Sequence, residues 1–125
     1  MLVCLALGVP LCSNANPIQD NYRAAAKQEN AAFTDFSAAA GQKFYNNKVG
    51  ELSCASCHTD SPLKTGSHAK TGKQIAPLSP VANPKRFTDA ANVEKWFKRN
   101  CADVVKRACT AQEKGDFIAY VLSVK

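Results

Sequence analysis

Cys54, Cys57 and His58 stand in the string C-A-S-C-H, and their types and spacing allow a specific chemistry. Two thiols three positions apart can each form a thioether to one vinyl group of a haem. The histidine beside the second thiol is then held against one face of the ring, where its imidazole can bind the iron. A single turn of chain would thus supply covalent anchorage through Cys54 and Cys57 and a proximal ligand, His58. Two close cysteines also begin many zinc sites. Cys101 and Cys109 would have to complete such a site, and they lie too far apart for the usual second pair. The motif therefore points to one covalently attached haem c.

The other face of the iron decides what such a protein does. A methionine there makes a conventional electron carrier, but the single methionine of the chain is Met1. His68, the second of two histidines, sits in the polar stretch Gly66-Ser67-His68-Ala69-Lys70 and would have to wrap around the ring edge. Lys64, Lys70 and Lys73 share that loop, where a solvated basic face is their ordinary role. Asn100 is the remaining candidate. It falls four residues after Trp96, three after Phe97 and four before Val104, near the centre of an apolar helical stripe. A buried amide must find a partner, either backbone in the core or a metal. As a ligand its carbonyl oxygen would be hard and weak, suited to ferric iron and released by the softer ferrous ion, which opens a site for a diatomic gas.

These residues need elements to position them. The chain reads as all-α, four to five helices around the haem. Asn16 to Asn30 forms a first helix with Pro17 in its first turn, and residues 16–32 are expected as a peripheral N-terminal arm. A second helix starts at Thr34 or Asp35 and ends at Asn46-Asn47. Gly41 on it makes a bare spot at which another helix can cross, with Tyr120 or Phe117 packing there. A third opens at Thr88 or Asp89 and runs to about Lys106, with Val93, Trp96, Phe97, Val104 and Val105 at i, i+3, i+4 spacing. The last begins with the capping box Thr110 and Glu113. Between Thr59 and Phe87 lie four prolines and two glycines and no convincing helix or strand. A loop this long suits a compact domain only if it packs on something other than secondary structure. Ile75, Pro77, Leu78 and Val81 on the loop, with Trp96 and Phe97 on the helix, are the candidate haem contacts.

Residues 1–15 read as a secretory signal, cleaved near Ala15. Met1 to Cys12 is apolar, and Ser13-Asn14-Ala15 offers small residues where a signal peptidase reads. The run is too short to span a bilayer, so no stable membrane insertion is expected after cleavage. The mature domain is then 16–125, exported to the periplasm, which removes nucleic acid as a partner. Cys4 and Cys12 leave with the signal, and Cys101 and Cys109 remain as a spare pair. They form either a disulfide, which an oxidising compartment favours, or two buried free thiols. The net charge is +6, and the segment from Thr59 to Lys114 carries eleven Lys or Arg against five Asp or Glu. A basic field on the haem-binding half steers an acidic redox partner.

Five strings give the chain a resemblance: S-C-A-S-C-H at 53–58, T-G-K-Q-I-A-P-L-S-P at 71–80, P-K-R-F-T-D at 84–89, V-E-K-W-F-K-R-N-C at 93–101 and C-T-A-Q-E-K-G-D at 109–116. Together they resemble the sphaeroides haem protein group, oxygen-binding members of the class I cytochrome c fold. The resemblance implies a monohaem domain with a long haem-wrapping loop, Asn100 as a releasable axial ligand opposite His58, and a Cys101–Cys109 disulfide. It implies that oxygen or nitric oxide binds after reduction, as carbon monoxide would, and that electrons come from a dihaem c-type cytochrome linked to a membrane b-type cytochrome. Pro77 is placed like the proline whose carbonyl orients the proximal histidine in related cytochromes. The resemblance is compatible with turnover as an oxidase or nitric oxide dioxygenase and equally with electron transfer and gas binding alone. The competing reading is a simple electron carrier with His68 or a lysine as a fixed sixth ligand; a small peroxidase ranks below both, because only His68 offers a distal acid–base histidine.

Overall fold

The computed structural model describes residues 16–125, so the expected signal segment 1–15 lies outside the described residues. Five α-helices carry the fold: α1 Pro17–Glu29, α2 Ala38–Asn46, α3 Cys54–His58, α4 Ala90–Asn100 and α5 Ala111–Ser123. The long loop contains one small antiparallel pair, β1 Gly66–Ser67 and β2 Gln74–Ile75, in which Gly66 opposes Ile75. The sequence gives no periodic signal for strands two residues long. Among the described residues no helix is long and apolar enough to cross a membrane.

Local chemistry sets most helix starts. The Asn16 side chain accepts from the N–H groups of Ile18 and Gln19 ahead of Pro17, Asp89 accepts from Asn92, and Thr110 and Glu113 cap each other reciprocally. The second helix starts later than expected. Ser37 caps it by accepting from Ala40, because the Asp35 carboxylate is engaged by Arg23 and by the N–H of Phe36.

The main contact is α2 against α5. At Gly41 a Cβ would lie 1.8 Å from the Asp116 carbonyl oxygen and 2.9 Å from the Tyr120 Cβ. The bare spot thus receives backbone of α5 as well as the base of Tyr120, and only glycine permits that approach. Tyr45, Ile118 and Val121 are 0 % exposed beside it, and the Tyr45 ring sits 5.3 Å from Tyr120 and 6.1 Å from Phe117.

The first helix is no peripheral arm. It lies along α5 with Ile18, Gln19 and Ala26 buried. The Gln19 Nε2 donates to the Gly115 carbonyl at 3.2 Å, and Glu29 accepts from the Ala111 N–H at 3.0 Å, which satisfies an orphan donor at the α5 start. Tyr22 meets Phe97 edge-on at 5.8 Å, so α1 also braces α4. Polar groups at helix ends make these contacts, and a weak apolar period does not reveal them.

The third long helix changes register partway. After Asn100 the chain makes a π-helical turn, Cys101–Val105, that ends on Lys106 at φ 65°. Cys101 and Cys109 are joined by a disulfide across this exit.

Candidate functional site

Ser53 builds the first part of the site. Its hydroxyl accepts from the Ser56 N–H at 3.2 Å while its own N–H donates to the Ser56 hydroxyl at 2.9 Å. This reciprocal cap makes residues 54–58 a single helical turn. At about 100° per residue, Cys54, Cys57 and His58 then lie on one side of it. The chain leaves His58 through Thr59, at φ 69°, a costly conformation for a β-branched residue. The buried Tyr45 phenol donates to the Thr59 carbonyl at 2.7 Å, and the Thr59 hydroxyl donates to the Ser61 carbonyl at 3.1 Å. Gly66 presses on the same turn, since a Cβ there would meet the Cys57 carbonyl oxygen at 2.2 Å.

Cys54 and Cys57 are both unpaired. Burial pushes the Cys54 thiol up to about 11, so it stays protonated rather than acting as a thiolate ligand or nucleophile. Cys101 and Cys109 are bound to each other, and among the described residues no three His, Cys, Asp or Glu side chains converge on a metal position. A zinc site therefore lacks its second half.

His58 is half-buried, and burial together with the Arg86 charge lowers its pKa to about 4. The imidazole is neutral, the form that binds a metal. Arg86 is a residue whose role the sequence does not announce. Its Nε donates to the Pro77 carbonyl at 2.9 Å and a terminal nitrogen to the Ala76 carbonyl at 2.7 Å. Asn83 Nδ2 donates to the same Pro77 oxygen at 3.5 Å. The Pro77 carbonyl, placed by resemblance to orient the proximal histidine, here anchors Arg86 and Asn83.

A cleft of about 870 Å³ runs along the exposed side of α4. Trp96 and Asn100 line it together with His68, Arg99 and Asp103. Asn100 is exposed on this wall, contrary to its expected place on a buried stripe. The apolar stripe of α4 is shared between two surroundings. Phe97 turns to the helical core, 5.5 Å from Phe117, while Trp96, about 100° away around the helix, is 43 % exposed at the cleft between the cations of Lys95 and Arg99. Phe97 is therefore a core residue more than a cleft residue. Leu78 is buried in the core cluster, Ile75 and Pro77 are half-buried, and Val81, at 66 % exposed, faces solvent. A smaller cavity of about 140 Å³ brings Cys54 together with Phe44, Val49, Val104 and Val105, so apolar side chains of the π-helical turn face the thiol-bearing turn.

His68 stands across the cleft from α4 at the tip of the small hairpin. Its Nδ1 accepts two backbone hydrogen bonds, from Lys70 and Thr71, both at 3.2 Å. Two unpaired thiols and a neutral imidazole beside them fit a c-type haem. Cys54, Cys57 and His58 would hold it.

Comparison with known proteins agrees with that fit. A family model described as a domain of unknown function, DUF1924, matches residues 31–121. Cytochrome c'' of Methylophilus methylotrophus is 39 % identical over 116 residues, covering 89 % of this chain and 81 % of that protein. Its oxidised crystal structure superposes with a TM-score of 0.80 at 38 % identity, over 86 % of this chain and 92 % of that one. A solution structure of the same cytochrome concerns haem-ligand detachment, with a TM-score of 0.77 at 39 % identity over 88 % of this chain and 93 % of that one. The cytochrome c-type protein SHP of Cereibacter sphaeroides is 51 % identical over 69 residues, covering 55 % of this chain and 53 % of that protein. The structure of oxidised SHP, an oxygen-binding cytochrome c, superposes with a TM-score of 0.74 at 38 % identity over 83 % of this chain and 91 % of that one.

Proposed function

The chain belongs to the DUF1924 family and to the cytochromes related to cytochrome c'' and the sphaeroides haem protein, and from that premise we propose that it is an exported monohaem cytochrome with a releasable sixth ligand. Haem c, when bound, supplies the redox-active iron and the axial position at which a gas can be taken up. Cys54 and Cys57 fix it by thioethers and His58 holds one face. Asn100 would offer a carboxamide oxygen, a weak ligand suited to ferric iron and poorly held by ferrous iron, so that the reduced protein could take up oxygen or nitric oxide.

The observation that carries this reading is the position of Asn100. It is the last residue of regular α-helix, on the wall of the cleft, where the π-helical turn begins. Turns of this kind occur often at functional sites. Support comes from the oxygen binding of SHP and from the haem-ligand detachment studied in cytochrome c''. A carrier with His68 as a fixed ligand is opposed by the two hydrogen bonds that already occupy its Nδ1. The eleven Lys or Arg against five Asp or Glu between Thr59 and Lys114 suit an acidic electron donor, in keeping with a dihaem c-type cytochrome fed by a membrane b-type cytochrome. The periplasm, where haem c is attached and a disulfide persists, is the matching location.

Asn100→Ala tests the proposal. The ferric absorption and magnetic spectra should change to those of a site with its sixth ligand lost or replaced, while the reduced protein still takes up carbon monoxide. Ferric and ferrous spectra both indistinguishable from wild type would refute Asn100 as the ligand. Stopped-flow mixing of reduced protein with oxygen and with nitric oxide, followed by product analysis, separates gas binding from oxidase or dioxygenase turnover.

A further inference from the structure

Thr59, the residue after His58, stands at φ 69° and ψ −176°. That region belongs almost to glycine alone, and a β-branched side chain is worse placed there than most. Such a conformation persists only where its surroundings over-determine it, and here those surroundings can be named. The Tyr45 phenol donates to the Thr59 carbonyl at 2.7 Å. The Tyr45 side chain is 0 % exposed, with its ring 5.3 Å from Tyr120 and 6.1 Å from Phe117, so the phenol has no room to swing aside. The Thr59 hydroxyl donates to the Ser61 carbonyl at 3.1 Å and accepts from the Ser61 N–H at 3.2 Å. Pro62, next in the chain, is fully buried.

The chain just before Thr59 is held as well. A Cβ on Gly66 would stand 2.2 Å from the Cys57 carbonyl oxygen and 3.1 Å from the His58 Cα. Gly66 is itself buried and fixed by its pairing with Ile75. The backbone from Cys57 to Thr59 is therefore pinned at one end by β1 and at the other by the Tyr45 phenol. A helical turn ending at His58 needs none of this. The turn is already capped by Ser53 and Ser56, and glycine at 59 would allow the same exit at no steric cost. Relaxation of Thr59 toward an ordinary negative φ would swing the His58–Thr59 peptide and carry the His58 backbone with it. The constraint thus bears on where the imidazole points.

We propose that Thr59 is a positioning residue: clamped by Tyr45 and Ser61, it fixes His58 so that this ligand stays in place when the opposite one leaves. The inference rests on the gas-binding reading above, which requires one firm ligand and one releasable ligand. Nitric oxide makes that requirement severe. Bound opposite a histidine, it weakens the iron–nitrogen bond trans to it, and a histidine free to tilt away is lost. A backbone that does not yield keeps a detached imidazole aimed at the iron, at high effective concentration, so that rebinding wins. Strain accepted at Thr59 is then tied to the firmness of the ligand beside it.

Two comparisons test this on the holoprotein. Thr59→Ala and Thr59→Gly both lose the hydroxyl, but only alanine keeps the Cβ that the conformation penalises. The glycine variant should be the more stable, by roughly fivefold to thirtyfold in the folding equilibrium read from urea midpoints, the reverse of the order at an ordinary position. An alanine variant as stable as the glycine variant, or more so, would overturn the proposal by removing the strain. Nitric oxide added to the reduced protein reads the positioning itself. Wild type and Thr59→Ser should retain His58 and show, in electron paramagnetic resonance, hyperfine splitting from the histidine nitrogen. In Thr59→Gly combined with Tyr45→Phe the five-coordinate fraction, which lacks that splitting, should rise about tenfold. A merely structural role would lower stability and leave the coordination unchanged. Wild type that is already mainly five-coordinate, or a double variant with wild-type coordination, would overturn this inference and leave gas uptake standing. Wild-type protein that takes up no nitric oxide would overturn the gas-binding reading and this inference with it.

Discussion

Gly41→Ala sets two opposing effects against each other inside one helix, and the structure says which should win. Alanine is the better helix former by about 1 kcal/mol, so an isolated α2 would gain. In the folded protein the added Cβ would stand 1.8 Å from the Asp116 oxygen, 2.5 Å from its carbon and 2.9 Å from the Tyr120 Cβ. Ordinary carbon–oxygen contact begins near about 3.3 Å, so the helices must part by roughly 1.5 Å. Two of the three clashing atoms are backbone and cannot rotate away. A gap of even 0.5–1 Å forfeits about a quarter to a half of the dispersion energy across a contact. Here that contact includes Tyr45, Ile118 and Val121, all 0 % exposed. Overpacking of this kind costs about 1–3 kcal/mol and sometimes more. With the backbone clash at the upper end of that range and the alanine gain of about 1 kcal/mol set against it, the net loss should be about 2 kcal/mol, roughly thirtyfold in the folding equilibrium. Urea unfolding of the holoprotein, followed by far-ultraviolet circular dichroism, measures it as a fall in midpoint at constant slope. Gln42→Gly, on the exposed side of α2, measures the propensity effect alone and should lose only about 1 kcal/mol. A Gly41→Ala midpoint equal to or above that of wild type would refute the steric argument and would mean that α2 and α5 cross with room to spare.

Two further substitutions probe other links. Tyr45→Phe removes only the phenol that holds the Thr59 carbonyl at 2.7 Å, so it should cost about 1–2 kcal/mol without a cavity and should shift the proximal histidine resonances of the carbon monoxide form; a stability equal to wild type would mean that water serves the Thr59 carbonyl equally well. Glu113 accepts two hydrogen bonds from Arg107, at 2.7 and 2.8 Å, and one from its capping partner Thr110. The Arg107 bonds hold its carboxyl below the ordinary 4.5. The unfolded chain therefore takes up the proton first, and the stabilisation is complete above about 4.5 and is lost as pH falls through the lower folded value. Glu113→Gln should flatten that acid slope in urea midpoints measured from neutral pH downward, and an unchanged slope would assign acid sensitivity elsewhere.

Much of the scaffold could be read because its determinants are local. Thr110 with Glu113, Asp89 and Pro17 mark helix starts through contacts within a few residues. Gly41 marks a crossing because a missing side chain has few other uses in a helix interior. What escaped the sequence depends on distant partners. Asp35 looked like a cap, yet Arg23 from another helix engages it and Ser37 takes over. The first helix looked like an arm because Gln19 and Glu29, which dock it on α5, are polar. The stripe on α4 was legible, but a helical wheel reports that a face is apolar without saying what covers it. Phe97 meets other helices while Trp96 and Asn100 meet the cleft. Arg86 was visible only as a letter in a string, since its partners are two backbone carbonyls nine and ten positions away.

The π-helical turn at Cys101–Val105 has a consequence for how sequences are set side by side. Such a turn holds one residue more than the α-helical path between the same two points, so it behaves as a single insertion folded into a helix. Everything before it, including Asn100, keeps the register of α4, and everything after it is rotated and advanced by one place. A relative whose helix stays regular through this region should show a one-residue gap between its counterparts of Asn100 and Cys109. Position counts carried across that gap would slip by one, so correspondences should be assigned from each side separately. The same insertion allows the helix exit and its disulfide to be repositioned while Trp96 and Asn100, which precede it, keep their places on the cleft wall.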